Sequence, residues 1–271
     1  MFTLQTRTRQ TRLASPCLQR KKKKPMTMIS RASIFTDITE AIDRIVPKPI
    51  SDARKQMEYF DGPGGMLAKF IPFNKKPTID APTVDAQKKV LFDFENIDEG
   101  EFKREFGALN DNVMGGRSDA RVVLENGAAK LSGVTEDQFG GFASFKSRDF
   151  ANAIDLSSFS GINIRCRGDG KAYKLIIYDT NDSFNVAFHK VFETKGGDDF
   201  EDIKLKFKDF KPVQRGRLVR EEENEYRLCD GSKIMALQVM LSKFSYGMDD
   251  KNALYNPGKF SIEVARIEAF D

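Results

Sequence analysis

The 271-residue chain has no Trp, one His and three Cys, and no stretch of it approaches the ~18 consecutive apolar residues that a membrane-spanning helix needs. Each shortage excludes something. With His189 as the sole histidine, any Ser-His-Asp or Cys-His nucleophilic site would have to be built on it. It alternates out of phase with Phe184, Val186 and Phe188, so it reads as a solvated or interface side chain rather than a catalyst. A structural zinc site draws four ligands mostly from Cys and His, and the donors are too few. Cys17, Cys166 and Cys229 form no C-x-x-C pair, which suits a reducing compartment; sequence alone leaves a Cys166–Cys229 disulfide open.

Acid is missing from one region. Residues 1–36 hold nine Lys/Arg and no Asp or Glu, so the formal net charge of +4 conceals a net negative remainder. No apolar core of a secretory signal follows those charges. Basic, Ser/Thr-containing and acid-free, residues 1–36 read as a mitochondrial or plastid transit peptide. A disordered basic tail, or a nuclear signal at Arg20–Lys24, is the alternative reading. The acidic body offers no general attraction for nucleic-acid phosphates.

Residues 37–87 read as an N-terminal extension or docking arm with short helices. Ile38, Ile42 and Ile45 share one helical face until Pro47 and Pro49 end it. Ala53, Met57 and Phe60 share another, before Asp61-Gly62-Pro63-Gly64-Gly65 breaks the chain. Residues 66–87 read as an extended linker wrapping a surface.

From residue 88 to 271 the period changes to two. Ile162, Ile164 and Cys166 alternate with Asn163, Arg165 and Arg167, and Ile203, Leu205 and Phe207 alternate with lysines. Asn126-Gly127 marks a hairpin turn between runs 120–124 and 128–134. About ten such strands, with few helical windows, predict an all-β fold, an antiparallel β-sandwich or jelly roll. With 23 Phe residues and no Trp, phenylalanine must fill its core.

Motifs for chemistry are sparse. No Walker-type or dinucleotide-binding glycine loop is present, so no cofactor and no small-molecule substrate is expected. Gly168-Asp169-Gly170-Lys171 lies between two strands and reads as a turn. Asp179-Thr180-Asn181-Asp182-Ser183 begins like a calcium loop, but Phe184 and Lys190 occupy the positions that need Gly and Glu, so it reads as a polar turn. The most distinctive stretch is Asn110–Ser118. Its Asn and Asp side chains can bond local backbone, with Gly115 and Gly116 freeing the φ/ψ choice. Equally, Asn110, Asp111, Asn112, Met114 and Arg117 can form a partner-binding loop that presents Asp111 and Arg117.

That stretch resembles the complex I intermediate-associated protein family. Leu91-Phe92-Asp93-Phe94-Glu95, Gly140-Gly141-Phe142-Ala143-Ser144 and Arg165-x-Arg167-Gly168-Asp169-Gly170-Lys171-x-Tyr173 extend the resemblance, as do Asp209-Phe210-x-Pro212 and Pro257-Gly258-Lys259-Phe260-Ser261-Ile262. It spans about residues 90–271. It implies a galactose-binding-like jelly roll used for assembly or scaffolding. Asp111-Asn112-Val113-Met114-Gly115-Gly116 and Met240-Leu241-Ser242-Lys243-Phe244-x-Tyr246 are more similar to the cyanobacterial and plastid branch, linked to photosystem II biogenesis. The family usually carries Trp before the Asn-Asp loop and near residue 200; here Phe106 and Phe200 stand instead.

The resulting expectation is a non-enzymatic, protein-binding scaffold of an organelle. It serves as an assembly factor for, or a stably bound subunit of, a photosynthetic complex in a plastid (chloroplast). A mitochondrial complex I assembly factor is one alternative, and a carbohydrate- or RNA-binding β-sandwich module is another.

Overall fold

A computed structural model describes residues 78–84, 89–138, 140–182 and 185–271. The segment expected to be a transit peptide and the helices expected at 38–45 and 51–60 lie outside the described residues. Two antiparallel sheets form the domain, as the period-two pattern predicts.

The first sheet contains β1 (Val90–Asp93), β3 (Asp119–Glu125), β4 (Ala128–Thr135), β6 (Gly161–Arg167), β9 (Glu201–Lys206) and β13 (Gly258–Phe270). Its order is β3-β4-β13-β6-β9. The long β13 takes β4 beside its first half and β1 beside its second. A bulge at Ala265 separates the two pairings, and Phe94 donates its N–H to the Ala265 carbonyl there. The β3–β4 hairpin turns at Asn126-Gly127, both at positive φ (51° and 72°), which matches the right-handed twist of the strands.

The second sheet has the order β11-β10-β8-β7-β12-β5-β2. It comprises β2 (Phe106–Asn110), β5 (Phe142–Ser147), β7 (Ala172–Tyr178), β8 (Ala187–Glu193), β10 (Lys211–Gln214), β11 (Arg217–Leu218) and β12 (Ala236–Ser242). A short helix, α1 (Glu99–Glu105), precedes β2. Asp98 caps it by accepting the Glu101 N–H at 2.9 Å, while Glu99 and Glu101 favour its N-terminus and Lys103 and Arg104 its C-terminus.

The inner faces follow the predicted phases. Ile162, Ile164 and Cys166 meet Tyr173, Leu175 and Ile177, with Leu237, Val239 and Leu241 beside them, all buried. Phenylalanine closes one end. Phe106 packs on Phe92, Phe94 and Phe102 with ring centroids 4.9, 5.1 and 5.2 Å away. Offset and edge contacts of this kind add about 0.5–1.5 kcal/mol each beyond area burial. The cluster joins β1 of one sheet to β2 of the other through α1.

Of the segment expected to be a linker, residues 78–84 are described. Ile79 donates its N–H to Asp149 O at 3.1 Å and accepts from Ala151 at 2.8 Å, making a parallel bridge with Phe150. Ile79, Ala81 and Val84 pack against the core. Cys166 and Cys229 are both free and buried, so no disulfide joins them.

Candidate functional site

β2 ends at Asn110 and a single 3-10 turn, Asp111–Met114, reverses the chain. Gly115 closes that turn at φ 85°, a conformation that favours glycine. The Asp111 side chain points inward and is fully buried. Its carboxylate accepts the Ser118 N–H (2.9 Å) and hydroxyl (2.7 Å), and the N–H groups of Gly141 (2.6 Å) and Phe142 (3.3 Å). Gly116 and Gly140 pack against it; an added Cβ would lie 2.3 and 2.2 Å from its atoms. Asn110 is also buried and donates to the Ala120 carbonyl at 2.8 Å.

This geometry corrects the expectation that the loop presents Asp111. A buried carboxylate needs several donors to offset its lost hydration, and this one finds them within the fold. Asp111 staples the 110–118 loop to the 136–142 segment. Arg117 and Gly115 are exposed and Asn112 is partly exposed, so these residues form the loop's outer surface. The side chains of Val113 and Met114 lie outside the described residues.

The two sheets differ on their outer faces. The six-stranded sheet shows ordinary charge outward, with Arg165 paired to Asp202 and Arg167 and Lys130 to Glu263. The seven-stranded sheet carries Ser144, Lys174, Ile176, Ala187, Val213 and Gln238 on its outer face, and all are buried. β7 reads AYKLIIY and β12 reads ALQVMLS, so both alternation phases are largely apolar or neutral. Strands of that kind are covered on both sides.

A polar chain crosses this face. Tyr178 donates its hydroxyl to Gln238, Gln238 donates to Ser144 Oγ at 2.7 Å, and Ser144 donates to Leu109 O at 2.7 Å. Lys146 sits 4.3 Å from the Tyr178 ring centroid and pairs with Asp149. Lys174 is 6% exposed. Its ammonium donates to the carbonyls of Phe244 (2.8 Å) and Ser245 (3.0 Å), and burial pushes its pKa down to about 8.

His189 lies on this same face, on the side its alternation predicted. It is partly buried rather than solvated, and its Nδ1 is shielded and without a hydrogen-bond partner. Burial, then the charge of Lys174, holds its pKa well below the ordinary histidine value. Sequence reading missed Lys174; its signal was a lone Lys inside a strand apolar on both phases.

The remaining motifs are structural. Asp169 accepts the Tyr173 hydroxyl at 2.9 Å and the Ser261 N–H at 3.1 Å, holding the β6–β7 turn. Arg227 takes the Asp179 carboxylate in a two-point pair. Ser183 and Phe184 lie outside the described residues. Of the two positions where the resemblance led one to expect Trp, Phe106 is core, whereas Phe200 is partly buried with the Arg167 guanidinium 4.9 Å from its ring centroid.

A second surface feature borders β10 and β11. A groove of about 790 Å³ is lined by Lys190, Phe210, Lys211, Leu218, Tyr226 and Leu228 among others. Leu228 and, near Gly216, Met248 are more than half exposed.

The model of one family, complex I intermediate-associated protein 30, matches residues 92–264, more than half of the chain. The chain belongs to that family. Solved structures to which the chain is similar include the family 11 carbohydrate-binding module from Clostridium thermocellum, at 14% identity and TM-score 0.43, covering 67% of this chain and 94% of that one. An agarase, AgWH50C, matches at 13% identity and TM-score 0.40, over 67% of this chain and 24% of the agarase. Likeness at this level does not carry a ligand from those proteins to this one. In this member of the complex I intermediate-associated protein 30 family, the matched residues form the two-sheet antiparallel sandwich.

Proposed function

We propose that this chain is a non-enzymatic, protein-binding scaffold of a plastid, acting as an assembly factor for, or a stably bound subunit of, a photosynthetic complex. Membership of the complex I intermediate-associated protein 30 family over residues 92–264 carries the assembly reading. The photosynthetic assignment is supported by Asp111–Gly116 and Met240–Tyr246, which are more similar to the plastid branch, and by the acid-free leader. Partner contact falls to the loop surface formed by Asn112, Gly115 and Arg117 and to the groove lined by Leu228, where an exposed apolar side chain marks a protein-facing patch.

The family's description favours one second reading, an assembly factor for respiratory complex I in a mitochondrion. Import of the full-length precursor into isolated plastids and mitochondria separates the two. Protease-protected, shortened product in plastids alone supports the first reading. Product in mitochondria alone replaces it with the second.

A further inference from the structure

A cleft of about 610 Å³ lies between α1, β1 and residues 78–82. That size falls within the range of ~300–1,000 Å³ typical of ligand-binding clefts. Ile79, Ala81 and Ile97 give it an apolar surface, each partly buried against the core. Its charge is of one sign. Asp80, Asp93, Glu101 and Glu105 line it, and among the described residues no Lys, Arg or His does. The groove beside Leu228 differs, since Lys190, Lys208 and Lys211 there offset Asp209, Glu221 and Glu222.

The acids are held in the cleft against their mutual repulsion. Glu101 and Glu105 stand one turn apart on α1, a spacing at which like charges destabilise a helix. Burial raises the Glu105 pKa first; the Glu101 charge raises it further, Arg104 lowers it, and Asp80 raises it again. The cations of α1 turn elsewhere. Lys103 pairs with Glu99 at 2.6 Å, and Arg104 lies back beside Gly100. Asp93 accepts from the Glu95 N–H and the Asn96 side-chain amide. Asp80, Glu101 and Glu105 have no salt-bridge partner among the described residues. A cleft of one sign focuses its field and gathers ligands of opposite charge. Residues 78–82 also lie ahead of the family match at 92–264, so one wall of the cleft comes from outside the matched domain.

We propose that this cleft binds a basic segment of a partner protein, its Lys or Arg side chains meeting Asp80, Glu101 and Glu105 while an apolar side chain rests on Ile79, Ala81 and Ile97. Nucleic acid and anionic lipid carry the wrong charge for it. The cleft shares no residue with the Asn112–Arg117 loop or the Leu228 groove. The assignment therefore does not depend on which complex the protein serves.

Fluorescence polarisation of the full-length protein with a fluorescein-labelled peptide of alternating Lys and Leu tests it. Saturable binding is expected, weakening as salt rises because the acids are partly exposed. A peptide of alternating Glu and Leu should not bind. Asp80→Asn with Glu105→Gln should lower the affinity by about fivefold or more. Glu221→Gln with Glu222→Gln, in the other groove, should leave it within about twofold. Removing like charge should also leave Tm unchanged or raised. No binding, binding that survives the Asp80 and Glu105 substitutions, or equal loss in both variants overturns the proposal. So does a lowered Tm in the Asp80 and Glu105 variant, because the acids would then serve the fold. Self-association of the free protein that the same substitutions abolish hands the cleft to a second copy and overturns it as well.

Discussion

The carboxylate of Asp111 accepts the backbone N–H of Gly141 at 2.6 Å, across thirty residues of sequence. That bond, with those from Ser118 and Phe142, makes one buried side chain the tie between two loops. Asp111→Ala strands those donors in a buried site and should destabilise the domain by on the order of 3 kcal/mol. Urea unfolding measures it. A loss under about 0.5 kcal/mol, the range of ordinary surface changes, would show the staple to be unimportant.

Gly140 tests the same contact from the other side. A methyl group there would lie 2.2 Å from an Asp111 oxygen, so Gly140→Ala should destabilise strongly in the native background. With Asp111→Ala already present, the clash is gone and the added cost should be much smaller. A double-mutant cycle that comes out additive would contradict this coupling.

Stability should fall on the acid side of neutrality. Burial and the Lys174 charge hold His189 well below its ordinary 6.5. Below that pH the unfolded chain binds a proton at this residue and the folded chain does not. The contribution is fully present above pH 6.5 and is lost as pH falls, by up to about 1.4 kcal/mol per unit. His189→Gln should flatten the acid limb of the stability profile between about pH 6.5 and 5. An unchanged limb would mean that the imidazole is accessible to protons in the native state.

The thiols give a simpler readout. Burial pushes Cys166 and Cys229 up to about 12, leaving almost no thiolate at neutral pH. Neither should react with a maleimide in the native protein, and both should react once denaturant is added. Mass-spectrometric counting of labels at these two positions checks it.

Strand phases were legible because alternation is a local signal. Ile162, Ile164 and Cys166 declare their face whatever lies across the core, and Asn126-Gly127 declares the hairpin. Short elements were not legible. β2 includes Gly107, β10 contains Pro212 and β11 has two residues, so none yields a period. The helix after Asp98 had a readable cap in Asp98 with Glu101, but its seven residues show only one buried side chain, Phe102. The inward turn of Asp111 was beyond local reading, since it depends on donors supplied by Gly141 and Phe142. The same holds for Lys174, whose partners are carbonyls some seventy residues away.

Binding of the protein subunits of a photosynthetic complex by this β-sandwich is what we propose. Gentle isolation of the tagged full-length protein from plastid-containing cells, followed by quantitative mass spectrometry of what accompanies it, tests this most directly. Photosynthetic or antenna subunits, or their precursors, are expected at a fixed ratio to the bait. Recovery of respiratory complex I intermediates instead, or of a free monomer with no partner, would contradict it.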